Sequence, residues 1–185
     1  MSLIRGRFQK EAAKSVTDYT VSTHFDWRLY RQDIVGSIAH ARMLAKQDII
    51  SQKEAEAIVN GLTSIRDEIE QGKFQFKPEL EDVHMNIEAR LIEKVGEVGR
   101  NLPTARSRND QVALDLRLFA KEAISDTIAK LKEFQRALIA VAGTNKSVVM
   151  TAIPISSPPS RCCWRTISSP ILKCSSAISS ASTTA

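Results

Sequence analysis

The sequence predicts an all-α protein: an N-terminal helical domain followed by the start of a long-helix bundle. Three observations carry this. Apolar residues recur at three- and four-residue steps over 27–46 and again over 55–69. The stretch 107–142 contains neither Gly nor Pro and is dominated by good helix formers. No alternation of strand period runs for a useful length before residue 151.

Residues 1 to about 20 are polar and aperiodic, the pattern of an arm rather than a core element. A first helix follows over 27–46, with Leu29, Ile34, Ile38, Ala41, Met43 and Leu44 on its apolar face. Ser51-Gln52-Lys53-Glu54 has the form of a capping box, in which hydroxyl and carboxylate satisfy free backbone N–H groups. It opens a second helix through Ala55, Ile58, Leu62, Ile65 and Ile69, stopped by Gly72. A loop through Pro78 leads to a third helix over 79–98, with acidic residues in its first turn and Gly99 and Pro103 at its end.

The fourth helix is the longest. Val112, Leu116, Phe119, Ala123, Ile124, Leu131, Phe134, Leu138 and Val141 form a broad stripe, and Gly143 is the expected cap. About 36 residues at ~1.5 Å each make a rod of roughly 50 Å, long enough to demand partner helices in a bundle or oligomer. The expected divisions are therefore 1–106 (arm and helical domain), 107–150 (first long bundle helix) and 151–185.

That last segment has a different composition. It is rich in Ser and Pro and free of Asp and Glu, and it holds all three cysteines, Cys162, Cys163 and Cys174. Composition alone predicts a disordered extension. The cysteines lack the spacing of a zinc site, so no metal is expected. Their absence from the body fits a reducing, cytoplasmic setting. The start of the chain has no continuous apolar run of a secretion signal, and no segment reaches the ~18 apolar residues of a membrane span. The net charge of +5 is not a nucleic-acid signal. Arg161, Arg165 and Lys173 supply much of it, and elsewhere both signs interleave as on solvated helix faces.

Two polar clusters interrupt the helical pattern. The first, Glu81-Asp82-Val83-His84-Met85-Asn86-Ile87-Glu88, places His84 and Glu88 four residues apart on one helix face. Locally that spacing predicts a surface ion pair. The second, Thr104 through Gln111, sits where a helix begins, so free N–H groups and the positive dipole end favour an anion. Arg106, Arg108 and Asn109 add donors suited to carboxylates. Plain N-capping by Ser107 or Thr104 is the competing explanation.

The two clusters in this order, Glu-Asp-Val-His-Met-Asn-Ile-Glu and then Ser-Arg-Asn-Asp-Gln at the head of a long helix, resemble the argininosuccinate lyase family. Residues 25–41, Phe-Asp-Trp-Arg-Leu-Tyr-Arg-Gln-Asp-Ile-Val-Gly-Ser-Ile-Ala-His-Ala, are similar to that family's first helix, and Gly6-Arg7-Phe8 resembles its arm. The resemblance covers residues 1 to about 150. It implies reversible β-elimination of argininosuccinate to arginine and fumarate with no metal or organic cofactor, in a cytoplasmic homotetramer whose active sites draw on three subunits. It implies substrate contacts for Ser22, Asp26, Ser107, Arg108 and Asn109, with His84 an active-site histidine that positions or tunes charge rather than acting as the base. The alternatives are another lyase of the superfamily, such as adenylosuccinate lyase or fumarase, which share the elimination logic, or a non-catalytic structural or interaction relative resembling the lens δ-crystallins. Neither nucleic acid nor membrane is an implied partner. Two positions depart from the family pattern: Ala105 stands where Gly is usual, and Pro103 where His is common.

The family pattern after Val-Val-Met continues Gly-Tyr-Thr-His-Leu-Gln, which contains a catalytic Thr-His pair. Here the chain reads Thr151-Ala152-Ile153-Pro154-Ile155-Ser156-Ser157. A permitted back-translation is ACG GCT ATA CCC ATC TCC AGC. Begun one base before the Ala152 codon, it reads GGC TAT ACC CAT CTC CAG, which is Gly-Tyr-Thr-His-Leu-Gln. The same shift turns 158–172 into an apolar helical stretch of the family's kind. The expectation is a one-base deletion near codon 151, leaving a chain without the Thr-His pair or the serine-bearing catalytic loop, and so without lyase activity by itself.

Overall fold

The computed structural model describes residues 13–145, 147–152, 160–163 and 173. Helices α1 (Lys14–Thr20), α2 (Thr23–Asp26), α3 (Tyr30–Lys46), α4 (Gln52–Glu70), α5 (Val83–Val95) and α6 (Arg108–Thr144) dominate it, with short 3-10 turns at Trp27–Leu29, Pro78–Leu80 and Gly96–Asn101. The all-α expectation holds. The chain divides into two compact units, 1–119 and 120–185.

In the first unit α3 and α4 pack together, and α5 packs on α4. The core between them is aliphatic: Ile34, Ala41, Leu44, Ile58, Leu62, Ile65, Val83, Ile87 and Leu91 form one cluster, extended by Ile50 and Leu102. The expected stripe of α3 is mostly inward, except that Met43 is exposed. Helix α1 falls within the expected arm and buries none of its residues; Gly6-Arg7-Phe8 lies outside the described residues.

The helix ends follow local chemistry. At the start of α4 the Ser51 hydroxyl accepts from the Glu54 N–H at 3.2 Å, and the Ser51 N–H donates to the Glu54 carboxylate at 2.7 Å, completing the capping box. The hydroxyl and Asn101 add to these contacts, holding Glu54 below the usual carboxylate pKa range. At the other end Gly72 takes φ +68°, a conformation glycine reaches without Cβ penalty. The Gly72 N–H donates to Ile69 and the Lys73 N–H to Glu68, the paired bonds of a Schellman stop.

Helix α5 is shorter than the periodicity predicts. It begins at Val83, because the Asp82 carboxylate caps it by accepting from the Met85 N–H at 2.7 Å. It ends at Gly96, whose φ of +69° turns the chain out of the helix before Gly99. Gly99 has another task. A Cβ there would meet the Ile92 backbone at 3.2 Å, so its bareness lets the 3-10 turn lie against α5.

Gly61 does the same between α4 and α5. A Cβ at 61 would stand 2.7 Å from Leu91 Cδ1 and 3.0 Å from Val95 Cγ1. Leu91 is fully buried and would have to shift within a packed core, so Gly61→Ala is expected to destabilise by about 1–3 kcal/mol despite alanine's better helix propensity. A urea midpoint at or above the parent's would contradict this.

In the second unit, 120–185, Gly143 does not end the long helix, which runs on to Thr144. Beyond it β1 (Val149–Ala152) pairs antiparallel with β2 (Ser160–Cys163), Val149 opposite Cys163. The β-branched Val148-Val149 pair favours extended backbone at this entry. Among the described residues this hairpin is the one strand pairing; apart from residue 173, the rest of the expected disordered extension lies outside the described residues.

Candidate functional site

The site candidates gather where α3, α5 and the first turns of α6 meet within the first unit. Their placement begins with a strained turn. Glu81 has φ +65° and ψ −61°, and the Asp82 N–H donates to the Leu80 carbonyl at 2.7 Å across it, a γ-turn of the rarer hand. This aims the Glu81 carbonyl at the segment before α2, where the Ser22 and Thr23 N–H groups donate to it at 2.8 and 3.3 Å. The Ser22 hydroxyl donates to Asp26 Oδ2 at 2.6 Å. That oxygen also accepts from the Val83 N–H at 3.3 Å. Ser22 and Asp26 are thus brought to the N-terminus of α5, the residue before His84. Asp26 Oδ1 is buried with no hydrogen-bond partner.

His84 is not the outer half of a surface ion pair. It is 3% exposed, because α5 turns this face toward α3 and α6. Its Nδ1 lies 3.1 Å from Asp33 Oδ1 and 3.4 Å from Asp115 Oδ2, shared between two carboxylates and aligned with neither. Glu88 pairs instead with Arg108, whose Nη2 donates to it at 3.2 Å.

Around this triad the polar contacts continue. Gln111 donates to Asp33 Oδ1, and Arg106 Nη1 donates to the Ser37 hydroxyl at 3.1 Å. Burial would hold Asp33 protonated, but the close contact and charge of His84, Gln111 and the Arg106 charge bring its pKa below the ordinary value. Burial likewise opposes the charged imidazole, yet Asp33, Asp82 and Asp115 raise His84 above its ordinary pKa. Asp115 takes the opposite course. Burial and the neighbouring Asp33 charge push it up to about 7, against the pull of His84 and Arg106. These shifts favour an anionic Asp33 beside a protonated His84, and they keep a proton on Asp115 to far higher pH than an ordinary carboxylate keeps one. Donor atoms of Asp33, His84 and Asp115 lie within 4.8 Å of one another. With the Arg106 guanidinium close enough to act on both carboxylates, they form one buried ion network.

Helix α6 begins at the second polar cluster, as expected. Ser107 stands before it, its hydroxyl accepting from the Asn109 N–H at 3.3 Å and its carbonyl from the Gln111 N–H at 3.2 Å. Arg108 reaches both ways: Nη1 donates to Gln111 at 3.2 Å, and the guanidinium faces Glu88 at 3.2 Å and Asp82 at 4.0 Å. Ser107 and Asn109 remain exposed beside it. The structure thus offers an exposed hydroxyl, an exposed amide and free helix N–H groups on one corner, flanked by a half-buried guanidinium. Such a corner can accept a carboxylate.

Sequence reasoning missed Asp33, Ser37 and Asp115. Their signal was present. Asp33 and Ser37 are four apart beside the apolar stripe of α3, and Gln111 and Asp115 repeat that spacing on α6. A charged residue sitting at a core-facing position of an amphipathic helix is the feature that would have found them.

Ala105 marks the entry to α6 with φ +56°. A non-glycine residue there costs about 1–2 kcal/mol, more than the ~0.5–1 kcal/mol of chain entropy a glycine loses on folding. Ala105→Gly is expected to stabilise the first unit by roughly 0.5–1 kcal/mol, read as a higher urea midpoint at unchanged m. A lower midpoint would show that the turn holds no strain.

The sequence and the fold both have known relatives. A family model described as "Lyase" matches residues 6–153. The argininosuccinate lyase of Dehalococcoides mccartyi is 54% identical over 154 residues, 83% of this chain and 33% of that protein. That of Carboxydothermus hydrogenoformans is 51% identical over 150 residues, 81% of this chain and 33% of that protein. The chain thus spans about a third of the length of the curated relatives it matches. Among solved structures, an EDDS lyase variant with bound fumarate superposes with a TM-score of 0.67 at 20% identity, over 90% of this chain and 33% of that one, a likeness of fold. With four fifths of its residues inside the family match, the chain belongs to this lyase family, and its strong similarity there is to argininosuccinate lyases.

Proposed function

We propose that this chain carries the substrate-anchoring share of an argininosuccinate lyase, a carbon–nitrogen lyase that releases fumarate from argininosuccinate and leaves arginine. One observation carries the reading: the exposed Ser107 and Asn109 flank Arg108 at the start of α6, a carboxylate-accepting corner, in a chain half identical to argininosuccinate lyases. In this reading Ser107, Arg108 and Asn109 hold a substrate carboxylate. Ser22 and Asp26 bind from the segment before α5, and His84 tunes the charge from beneath. β-Elimination builds negative charge on a carboxylate as the neighbouring proton leaves, and fixed donors there lower the barrier. No organic cofactor enters this scheme.

The reading includes assembly into a cytoplasmic homo-oligomer. Leu116, Ile124, Phe134 and Val141 on the stripe of α6 are exposed, a face that favours burial against further helices. Among the described residues no helix is long and apolar enough to cross a membrane. The family match ends at residue 153, next to the codon at which a shifted frame restores Gly-Tyr-Thr-His-Leu-Gln. That coincidence supports the one-base deletion, and sequencing the gene around Met150 tests it.

A chimera tests the function. Residues 1–150 of this chain replace the matching segment of a full-length relative, and fumarate release is followed by its ultraviolet absorbance. The chimera is expected to cleave argininosuccinate, and Arg108→Ala within it to raise KM by at least tenfold. A folded chimera without that activity overturns the proposal, whereas the 185-residue chain by itself is expected to release no fumarate.

A further inference from the structure

We propose that Asp33 and Gln111 are positioning residues: together they pin the start of α6 onto α3 and α5, and so hold the Ser107–Asn109 corner in the geometry that receives a carboxylate. This rests on the lyase reading above for its consequence, though not for the pinning itself.

The contact is polar where the fold does not need it to be. Asp33 and Asp115 are 1% and 0% exposed, and His84 lies between them. Taking each ion out of water costs several kcal/mol, and apolar residues of similar volume would pack at least as stably. What a buried polar contact supplies instead is direction. Aliphatic side chains slide over one another, while a carboxylate with a donor on each side accepts one arrangement.

The directions meet on Asp33. From α3 its carboxylate faces His84 of α5 at 3.1 Å and accepts from Gln111 of α6. One turn along α3, Ser37 accepts from Arg106 at 3.1 Å. Gly36 also lies against this junction: a Cβ there would stand 3.2 Å from Leu114 Cδ2, tighter than usual, and at ordinary contact distance from Asp115 Oδ1 and Arg106 Nη2. Arg106 lies just before the corner and Gln111 just after it. Ser107 and Asn109 are therefore free toward solvent while both flanks are tied down, which is the support a preorganised site requires.

Two measurements on Gln111→Leu test this, with Asp33→Asn as a second variant that keeps shape but removes the charge. The first uses amide hydrogen exchange on the 185-residue chain. Exchange at residues 112–115 is expected to quicken about tenfold, while residues 58–65 of α4 keep their protection. Unchanged exchange at the start of α6, or an equal rise in both regions, overturns the pinning. The second uses the chimera. Either substitution is expected to raise KM for argininosuccinate by roughly 10–100-fold, as loss of a supporting contact does elsewhere, with kcat altered less than about threefold. A KM within twofold of the parent chimera overturns the functional half. If the parent chimera does not cleave argininosuccinate, the lyase reading falls, and the exchange measurement still decides whether Asp33 and Gln111 pin the helix.

Discussion

Asp33→Ala is expected to cost the first unit about 3–5 kcal/mol near pH 6, the loss typical of removing one partner from a buried ion pair. Asp33 is 1% exposed and faces an equally buried imidazole at 3.1 Å. Its removal strands the His84 charge, leaves Gln111 without its acceptor and opens a small void between α3 and α6. Part of the cost is avoidable. Without Asp33 the imidazole sheds its proton more easily, so the loss should shrink as the pH rises toward 8. The contrast is Arg31 with Glu70, an ion pair of similar length at 3.0 Å whose side chains are 63% and 41% exposed. Arg31→Ala should leave the urea midpoint almost unmoved, because water and salt already screen that pair. Urea unfolding of both variants, with m checked for constancy, decides the matter; equal losses would mean that the buried cluster is screened like a surface pair.

The legible part of this molecule was the part written in apolar periodicity. The face of α4 through Ile58, Leu62 and Ile65, and the capping box at Ser51, could be placed from sequence because each uses contacts within a turn or two of chain. The start of α6 at Ser107-Arg108 was legible for the same reason, since free N–H groups and capping side chains are local. What escaped was long-range. Nothing in the spacing of His84 and Glu88 says that α5 turns His84 inward while Arg108 claims Glu88. That choice depends on Asp33 and Asp115, which come from helices remote in sequence. The ends of α5 escaped too, since Gly96 and Gly99 look alike in sequence. One takes positive φ and the other admits a close backbone. Ala105 lies between these cases: its cost depended on the sign of φ, which the structure gives as positive.

The same cluster sets how stability changes with acidity. Asp115 is raised from an ordinary carboxylate value to about 7, so between pH ~4 and ~7 the folded chain holds a proton that the unfolded chain has released. Stability then falls as pH climbs through that window. His84 is raised as well, and its contribution is lost on further increase, from about 6.5 up through its folded pKa. Asp33 works the other way: lowered in the fold, it stabilises above its unfolded pKa near 4 and withdraws that support as acid is added. Glu68, held to about 2 by Arg90 and Lys94, lies on the surface and adds to the acid side only weakly. The urea midpoint of the chain is therefore expected to peak near pH 5 and to decline toward pH 8. Asp115→Asn isolates the cause, since the amide imitates the protonated acid at every pH. Its profile should match the parent below about pH 4, lack the part of the decline between pH ~4 and ~7, and lie above the parent at pH 8. A variant curve parallel to the parent's would show that Asp115 releases its proton in the folded chain as readily as in the unfolded one, and that two neighbouring carboxylates share this interior without holding a proton between them.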